Sequence, residues 1–393
     1  MKYYIIAGEA SGDLHASNLM KAMKANDSQS DFRCWGGDLM EAQGGKLVKH
    51  YRNLAFMGFA EVLMNLRTIL KNISFCKEDL LRFQPDVLIL VDYPGFNLRM
   101  AEFAKNKGIK VVYYISPQVW AWKQSRVHKI KKSVDKMLVI LPFEKDFYAK
   151  FGMEVDFVGH PLLDALAGEN SISRSAFLSE NKLEDKPIVA LLPGSRKQEV
   201  SKMLGIMLQV VGRFKDVQFV VAAVGSLPAE FYKEIIGKKP VKILQNKTHQ
   251  ILKNSAAALV TSGTATLETA LIGVPEVVCY KGSWISYQIA KRLIHVKYIS
   301  LVNLIMDNEV VKELIQDELN VENLTAELNQ LLNNEKAKLQ LQASYVELKE
   351  KLGQIGASER AAKIIVDFTK LNKQATTDFS PDALCYSDVN PPK

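Results

Sequence analysis

Unbroken apolar runs, rather than alternating ones, recur along the chain to about residue 300, each followed by a stretch whose apolar positions fall three or four apart. Apolar runs of about five residues mark strands buried on both faces of a parallel sheet, and the intervening period is helical. In residues 1–165 this pattern predicts strands at 3–7, 31–35, 87–91, 110–115, 136–140 and 155–158, with helices over 13–24, 98–106, 125–133 and 144–151. Residues 166–186 are polar and charged and read as a linker, after which strands are expected at 188–192, 217–224, 241–244, 257–261 and 277–280. The alternation predicts an α/β chain built from two Rossmann-like, doubly wound domains, 1–165 and 166–345. From about 308 to 371 only helix is expected, with 346–371 packing back on the first domain and the polar, proline-containing residues 372–393 forming a mobile tail.

Composition fits this picture: 393 residues exceed what one core usually supports, and 48% hydrophobic with 24% charged residues is typical of a globular protein. No run approaches the ~18 apolar residues of a membrane span, and the opening apolar run leads into a glycine turn rather than a leader's cleavage site. Cys34, Cys76, Cys279 and Cys385 are scattered, with no metal-binding spacing, which suits thiols in a reducing cytoplasm. A net charge of +8 suits an anionic partner, whether nucleotide phosphate, nucleic acid or a membrane surface.

Candidate chemistry gathers where strands end, the place where ligands bind in open α/β sheets. The run Val87–Val91 stops at Asp92, followed by Tyr93-Pro94-Gly95; Asp92 is either the cap of the next helix or a carboxylate facing the ligand crevice. Gly8-Glu9-Ala10-Ser11-Gly12-Asp13 lacks the dinucleotide fingerprint but lets a ligand approach, with Glu9 and Asp13 able to accept from hydroxyls or simply to form a tight turn. Gly194-Ser195-Arg196, with Glu199 a turn on, opens a helix; a cation there is wrong for the helix dipole and right for a bound phosphate. Ser262-Gly263-Thr264-Ala265-Thr266 forms a second hydroxyl-rich cradle, with Glu268 one turn on to take a ribose. Together these describe a nucleotide-diphosphate site in the second domain.

Phe59, Val62, Leu63, Leu66, Ile69, Leu70 and Ile73 fall on one helical face beside Arg67 and Lys71. That face either packs on the core or meets a membrane or acyl chains. The basic, aromatic stretch 120–129 carries the same ambiguity; no nucleic-acid-binding motif accompanies it.

The set Gly8–Asp13, Met57-Gly58, Asp92–Asn97, Ser116–Trp122, Gly159-His160-Pro161, Leu192–Arg196, Ser262–Glu268 and Leu301–Ile305 resembles the lipid-A-disaccharide synthase family, in order and out to about residue 365. The resemblance implies a GT-B fold, two such domains facing across a cleft. It implies an inverting glycosyltransferase joining UDP-2,3-diacylglucosamine to 2,3-diacylglucosamine 1-phosphate with release of UDP. It also implies a peripheral position on the cytoplasmic face of the inner membrane, for which a homodimer is compatible. Asp92 would then be the catalytic base. Gly194, Ser195, Arg196, Glu199, Ser262, Gly263, Thr264, Ala265, Thr266, Glu268 and Asn303 would bind the donor, and Glu9, Ser11, Gly12 and Asp13 the acceptor. His160 would contact the nucleotide or order the hinge. No Asp-x-Asp stretch is present, so neither metal nor cofactor is expected. Gly95 stands where the family often has a second carboxylate, and Val302 where it often has proline. Other UDP-sugar enzymes of this architecture, such as a peptidoglycan lipid precursor transferase or an epimerase, and a non-catalytic lipid-binding protein at the membrane, are the alternatives.

Overall fold

The computed structural model describes residues 1–54, 66–122, 124–168, 172–282 and 296–378. The chain divides into two compact units: Met1–Ile140 with Glu144–Pro161 and Gly356 onward, and Leu141–Phe143 with Leu162–Ile355. Each is built on a parallel sheet.

Among the described residues the first sheet runs β3 (Lys46–His50), β2 (Asp31–Gly36), β1 (Lys2–Ala7), β4 (Val87–Val91), β5 (Lys110–Tyr114), β6 (Lys136–Val139), β7 (Asp156–Phe157). All five residues of β4 are buried, so both faces of the strand are covered. Sequence-adjacent strands β1 and β2 pair on one side while β1 pairs β4 on the other, with Ala7 opposite Val91. The winding reverses between β1 and β4, and a reversal of this kind opens a crevice at the strands' carboxyl ends.

The second sheet runs β10 (Val241–Gln245), β9 (Gln218–Ala223), β8 (Ile188–Leu192), β11 (Ser255–Thr261), β12 (Glu276–Tyr280), β13 (Lys312–Ile315), again parallel. Its reversal falls between β8 and β11. Val189, Leu191, Phe219, Val221, Leu259 and Val277 form one core layer, closed by Leu324 and Leu328 of the Val321–Asn333 helix.

Two strands escape the hydrophobic pattern. β3 and β13 are edge strands carrying Lys46, Lys49 and His50, and Lys312 and Glu313. The half-exposed β3 and the exposed Lys312 tolerate charge at an edge, whereas Glu313 is buried and accepts from the Ile299 and Ser300 amides, so neither strand shows the apolar run that marks β4 and β8. β13 also corrects the all-helical expectation beyond residue 308.

The helix expected to carry the apolar face from Phe59 to Ile73 is described from Leu66 to Phe83. It is fixed to the sheet by a buried polar network. Asp79 accepts from Tyr4 Oη at 2.7 Å and from Arg33 Nε at 2.7 Å, and Trp35 Nε1 donates to Tyr4 Oη at 2.8 Å. Burial works against the Asp79 charge, yet bonds from Arg33 and Tyr4 hold its carboxyl below the ordinary range. The helix does not bury one continuous apolar face: Ile73 is buried, Ile69 half-buried and Leu70 exposed. Phe59, Val62, Leu63 and the side chain of Leu66 lie outside the described residues, as does the tail from 379.

The terminal helix Ala357–Asp378 belongs to the first unit, lying against the Ala10–Asn26 helix. Arg360 Nε donates to the Val158 carbonyl at 2.8 Å and Lys373 pairs with Asp86 at 3.1 Å.

Candidate active site

Each unit presents one crest of polar residues, at the reversal of its own sheet. In the first, β1 runs into Gly8-Glu9 and the neighbouring β4 into Asp92-Tyr93. Asp92 and Tyr93 both adopt left-handed backbone, φ +46° and +49°, and Ile115, just past the end of β5, does too at +64°. Such conformations in non-glycine residues, above all a β-branched one, gather where surrounding structure imposes them, commonly at functional sites.

Asp92 does not cap the helix that follows. The cap position of Pro94–Asn106 is Tyr93, and no side chain caps it. The half-buried Asp92 carboxyl is pushed up to about 6, first by desolvation and then by the charge of Glu9, with a bond from the Tyr93 amide pulling the other way. Tyr93 stacks on Phe96 with ring centroids 5.8 Å apart, and Phe96 meets Trp35 at 5.4 Å. The crest therefore stands on an aromatic footing.

Glu9 is half-buried and Ser11 exposed, whereas Gly12 and Asp13 are buried. The Asp13 carboxylate accepts from the amides of Gly37 at 2.7 Å, Met40 at 3.1 Å and Leu39 at 3.2 Å. It organises the start of the Asp38–Ala42 helix, and its carboxylate is taken up by those amides. His160 is also buried, and desolvation together with neighbouring His15 lowers its imidazole to about 3. It is neutral at physiological pH, so it offers a bound phosphate no cation.

In the second unit, β8 runs through Pro193 into Gly194, whose φ of +106° puts the turn where an L side chain is strained; a Cβ there would also sit 2.8 Å from Glu199 Oε2. Arg196 holds the cap position of Lys197–Met207, with its amide donating to Glu199 Oε2 at 3.4 Å. Its guanidinium, 57% exposed, touches Glu199 at 3.3 Å. Glu199 thus closes the helix start, while Ser195 and Arg196 face outward.

The neighbouring β11 ends at Thr261, and Gly263 opens the Thr264–Ile272 helix without a side-chain cap. First-turn amides of a helix lack partners within it and so face an incoming anion. Gly263 and Thr264 are exposed and Ala265 half-buried. Thr266 is buried, its hydroxyl donating to the Gly263 carbonyl at 2.8 Å, and Ser262 Oγ donates to the Ile299 carbonyl at 3.1 Å; both hydroxyls brace the cradle. Half-buried Glu268 lies 3.4 Å from His249 Nε2, a neighbour the linear motif gave no sign of.

Asn303 requires a correction. It is fully buried, donating to Val311 O at 2.8 Å and Glu313 Oε1 at 2.9 Å and accepting from the Val310 and Val311 amides at 2.8 and 2.9 Å. Two donors and two acceptor sites exhaust a carboxamide, leaving none for a sugar nucleotide. Asn303 ties the Leu301–Met306 helix to β13.

Among the described residues there is no group of three or more His, Cys, Asp or Glu arranged to hold a metal ion, and no helix long and apolar enough to cross a membrane.

Paired parallel-sheet units with these crests place the chain in the GT-B class. The structure of S. aureus MnaA with UDP is similar at TM-score 0.68 and 14% identity, covering 94% of this chain and 97% of that one. The glycotransferase of kitacinnamycin is similar at TM-score 0.63 and 14% identity, covering 93% and 98%. Within that class the chain belongs to the lipid-A-disaccharide synthetase family, whose model matches residues 3–365. The lipid-A-disaccharide synthase of Syntrophus aciditrophicus (strain SB) is 41% identical over 373 residues, 93% of this chain and 97% of that relative.

Proposed function

We propose that this chain is the hexosyltransferase of lipid A assembly its family name describes, joining UDP-2,3-diacylglucosamine to 2,3-diacylglucosamine 1-phosphate. Asp92 takes the proton of the acceptor 6-hydroxyl as that oxygen attacks the donor's anomeric carbon. The carbon–oxygen bond to UDP breaks, UDP leaves with the electron pair, and the α linkage becomes β. The observation that carries this reading is the Asp92 carboxyl, raised to about 6 at the reversal of its sheet. A general base works best with a pKa near the operating pH, and about 6 lies nearer to it than the ordinary aspartate value of about 4.

The second unit binds the donor. Arg196, the amides at Gly194–Ser195 and the first turn from Gly263 to Ala265 stabilise the charge that grows on the leaving diphosphate, and Glu268 accepts from the ribose. These groups take the part a divalent cation plays elsewhere, so turnover proceeds without metal. Glu9 and Ser11 orient the acceptor. Exposed Leu70, and Trp122 with Arg126 4.9 Å from its ring, contact acyl chains or headgroups at an anionic membrane surface, in keeping with the net charge of +8.

The deciding assay supplies purified protein with both diacylglucosamine substrates, with and without EDTA. Disaccharide and UDP should form equally in both. Absence of disaccharide, or epimerisation of a UDP-sugar in its place, overturns the reading; loss of product with EDTA overturns the metal-free part alone.

A further inference from the structure

The turn at Asp92 is held by more than its neighbours in sequence. Left-handed backbone at two consecutive non-glycine residues, φ +46° and +49°, persists only where contacts impose it. Those contacts converge on one atom. The carbonyl oxygen of Asp92 accepts from Tyr113 Oη at 2.6 Å and from Asn97 Nδ2 at 2.7 Å. Tyr113 comes from β5 and Asn97 from the following helix, and both are fully buried. Asn97 Nδ2 also lies 3.2 Å from the Val91 carbonyl and 3.4 Å from that of Ile6, so it reads the positions of β4 and β1 together. On the other side of the residue, the Asp92 amide donates to the Tyr114 carbonyl at 3.2 Å.

Rotating the Asp92–Tyr93 peptide would leave the buried Tyr113 hydroxyl without this acceptor and weaken the hold of Asn97, a cost that selects one orientation. With the peptide fixed on both sides, the direction in which the Asp92 side chain departs from the crest is fixed as well. We propose that Tyr113 and Asn97 are positioning residues that clamp the Asp92 carbonyl and thereby aim its carboxylate at the acceptor hydroxyl. The inference rests on the reading of Asp92 as the base. Neither residue touches substrate; both act through the geometry of the turn, and misplacing a base by about 1 Å is enough to slow proton transfer greatly.

The test compares Tyr113→Phe and Asn97→Ser with Asp92→Asn, measuring kcat, KM for each substrate and thermal unfolding. Phenylalanine removes only the hydroxyl, and serine at 97 is too short to reach the carbonyl. Each clamp variant should lose roughly 10-fold or more in kcat with both KM values within about 3-fold of the parent, since binding groups stay in place while the base is misaimed. Two outcomes overturn the proposal. One is a folded variant with parental kcat while Asp92→Asn is inactive, which sinks the clamp and leaves the base reading intact. The other is a rise in KM without a fall in kcat, which makes these residues part of binding or of the general fold. If Asp92→Asn itself turns over at the parental rate, the base reading fails and the clamp has nothing to aim.

Discussion

Tyr93 lies so close over Gly8 that a Cβ on Gly8 would come within 2.3 Å of two ring carbons. The end of β1 and the turn after β4 therefore fit together only because residue 8 has no side chain. Gly8→Ala must push the ring away, along with its stacking on Phe96 and its hydroxyl's bond to the Leu54 carbonyl at 3.2 Å. Overpacking of this kind costs about 1–3 kcal/mol. The variant should melt lower and lose turnover beyond what unfolding explains, because the displaced ring belongs to the turn that carries Asp92. Unchanged melting and activity would show that the ring moves freely.

Asp92→Asn should have opposite effects on activity and stability. Turnover should fall by about 10²–10⁴, the usual contribution of a general base. The folded carboxyl titrates at about 6, above its ordinary value of 3.8, so between those values the native state binds more protons than the unfolded one and stability falls as pH rises. That loss is complete above pH 6 and absent below about 4. Asparagine escapes it, so the variant should melt higher than the parent at neutral pH, with the difference closing in acid. Melting curves at several pH values check the sign.

Activity of the parent should climb with pH through about 6, as Asp92 loses its proton. Glu9→Gln removes the second cause of the raised value, so the rising limb of kcat/KM should move to lower pH. A limb that stays in place would mean that burial alone sets it.

Arg196→Ala should weaken donor binding by roughly 10–100-fold, the value of one or two charge-assisted hydrogen bonds to phosphate. Calorimetric titration with UDP measures this apart from turnover. Glu199 also loses its guanidinium contact at 3.3 Å, but that exposed pair contributes little to stability.

Asn303→Ala should behave in the reverse way. It strands the buried Val311 amide and removes a donor from Glu313, at about 1–3 kcal/mol for each buried group left unpaired, while the Val310 amide keeps the Asn308 carbonyl at 3.0 Å. A lower melting point with unchanged UDP affinity in the folded fraction is expected; weakened UDP binding in a fully folded variant would restore a donor role.

The sequence reveals whatever is repeated locally. β4 and β8 stand out as five buried apolar residues each, and the crests stand out because small and charged residues interrupt such runs. Asn303 shows the limit. Its motif reads as a ligand contact, but its role depends on Glu313, which lies on a strand too short and polar to register as one. The proximity of Glu9 to Asp92 is equally hidden, since it exists only once β1 and β4 pair. The clamp on Asp92 was invisible for a further reason: it acts through a backbone carbonyl, which every residue has, and only the fold decides which one is chosen.

The left-handed residues beyond β4 and β5 also bear on how this protein can change. Within β4 any apolar residue of similar volume can be accommodated by neighbours that repack. One step further, at Asp92 and Tyr93, and again at Ile115, replacement alters the backbone's own preferences as well as its contacts. Tolerance to mutation should therefore drop abruptly from strand to turn, and a saturation scan across residues 87–97 would draw that boundary at Asp92. Glycine at 93 or 115 would relax the backbone but empty a packed site, since Tyr93 stacks on Phe96 and Ile115 is buried, so a net loss of stability is expected there too.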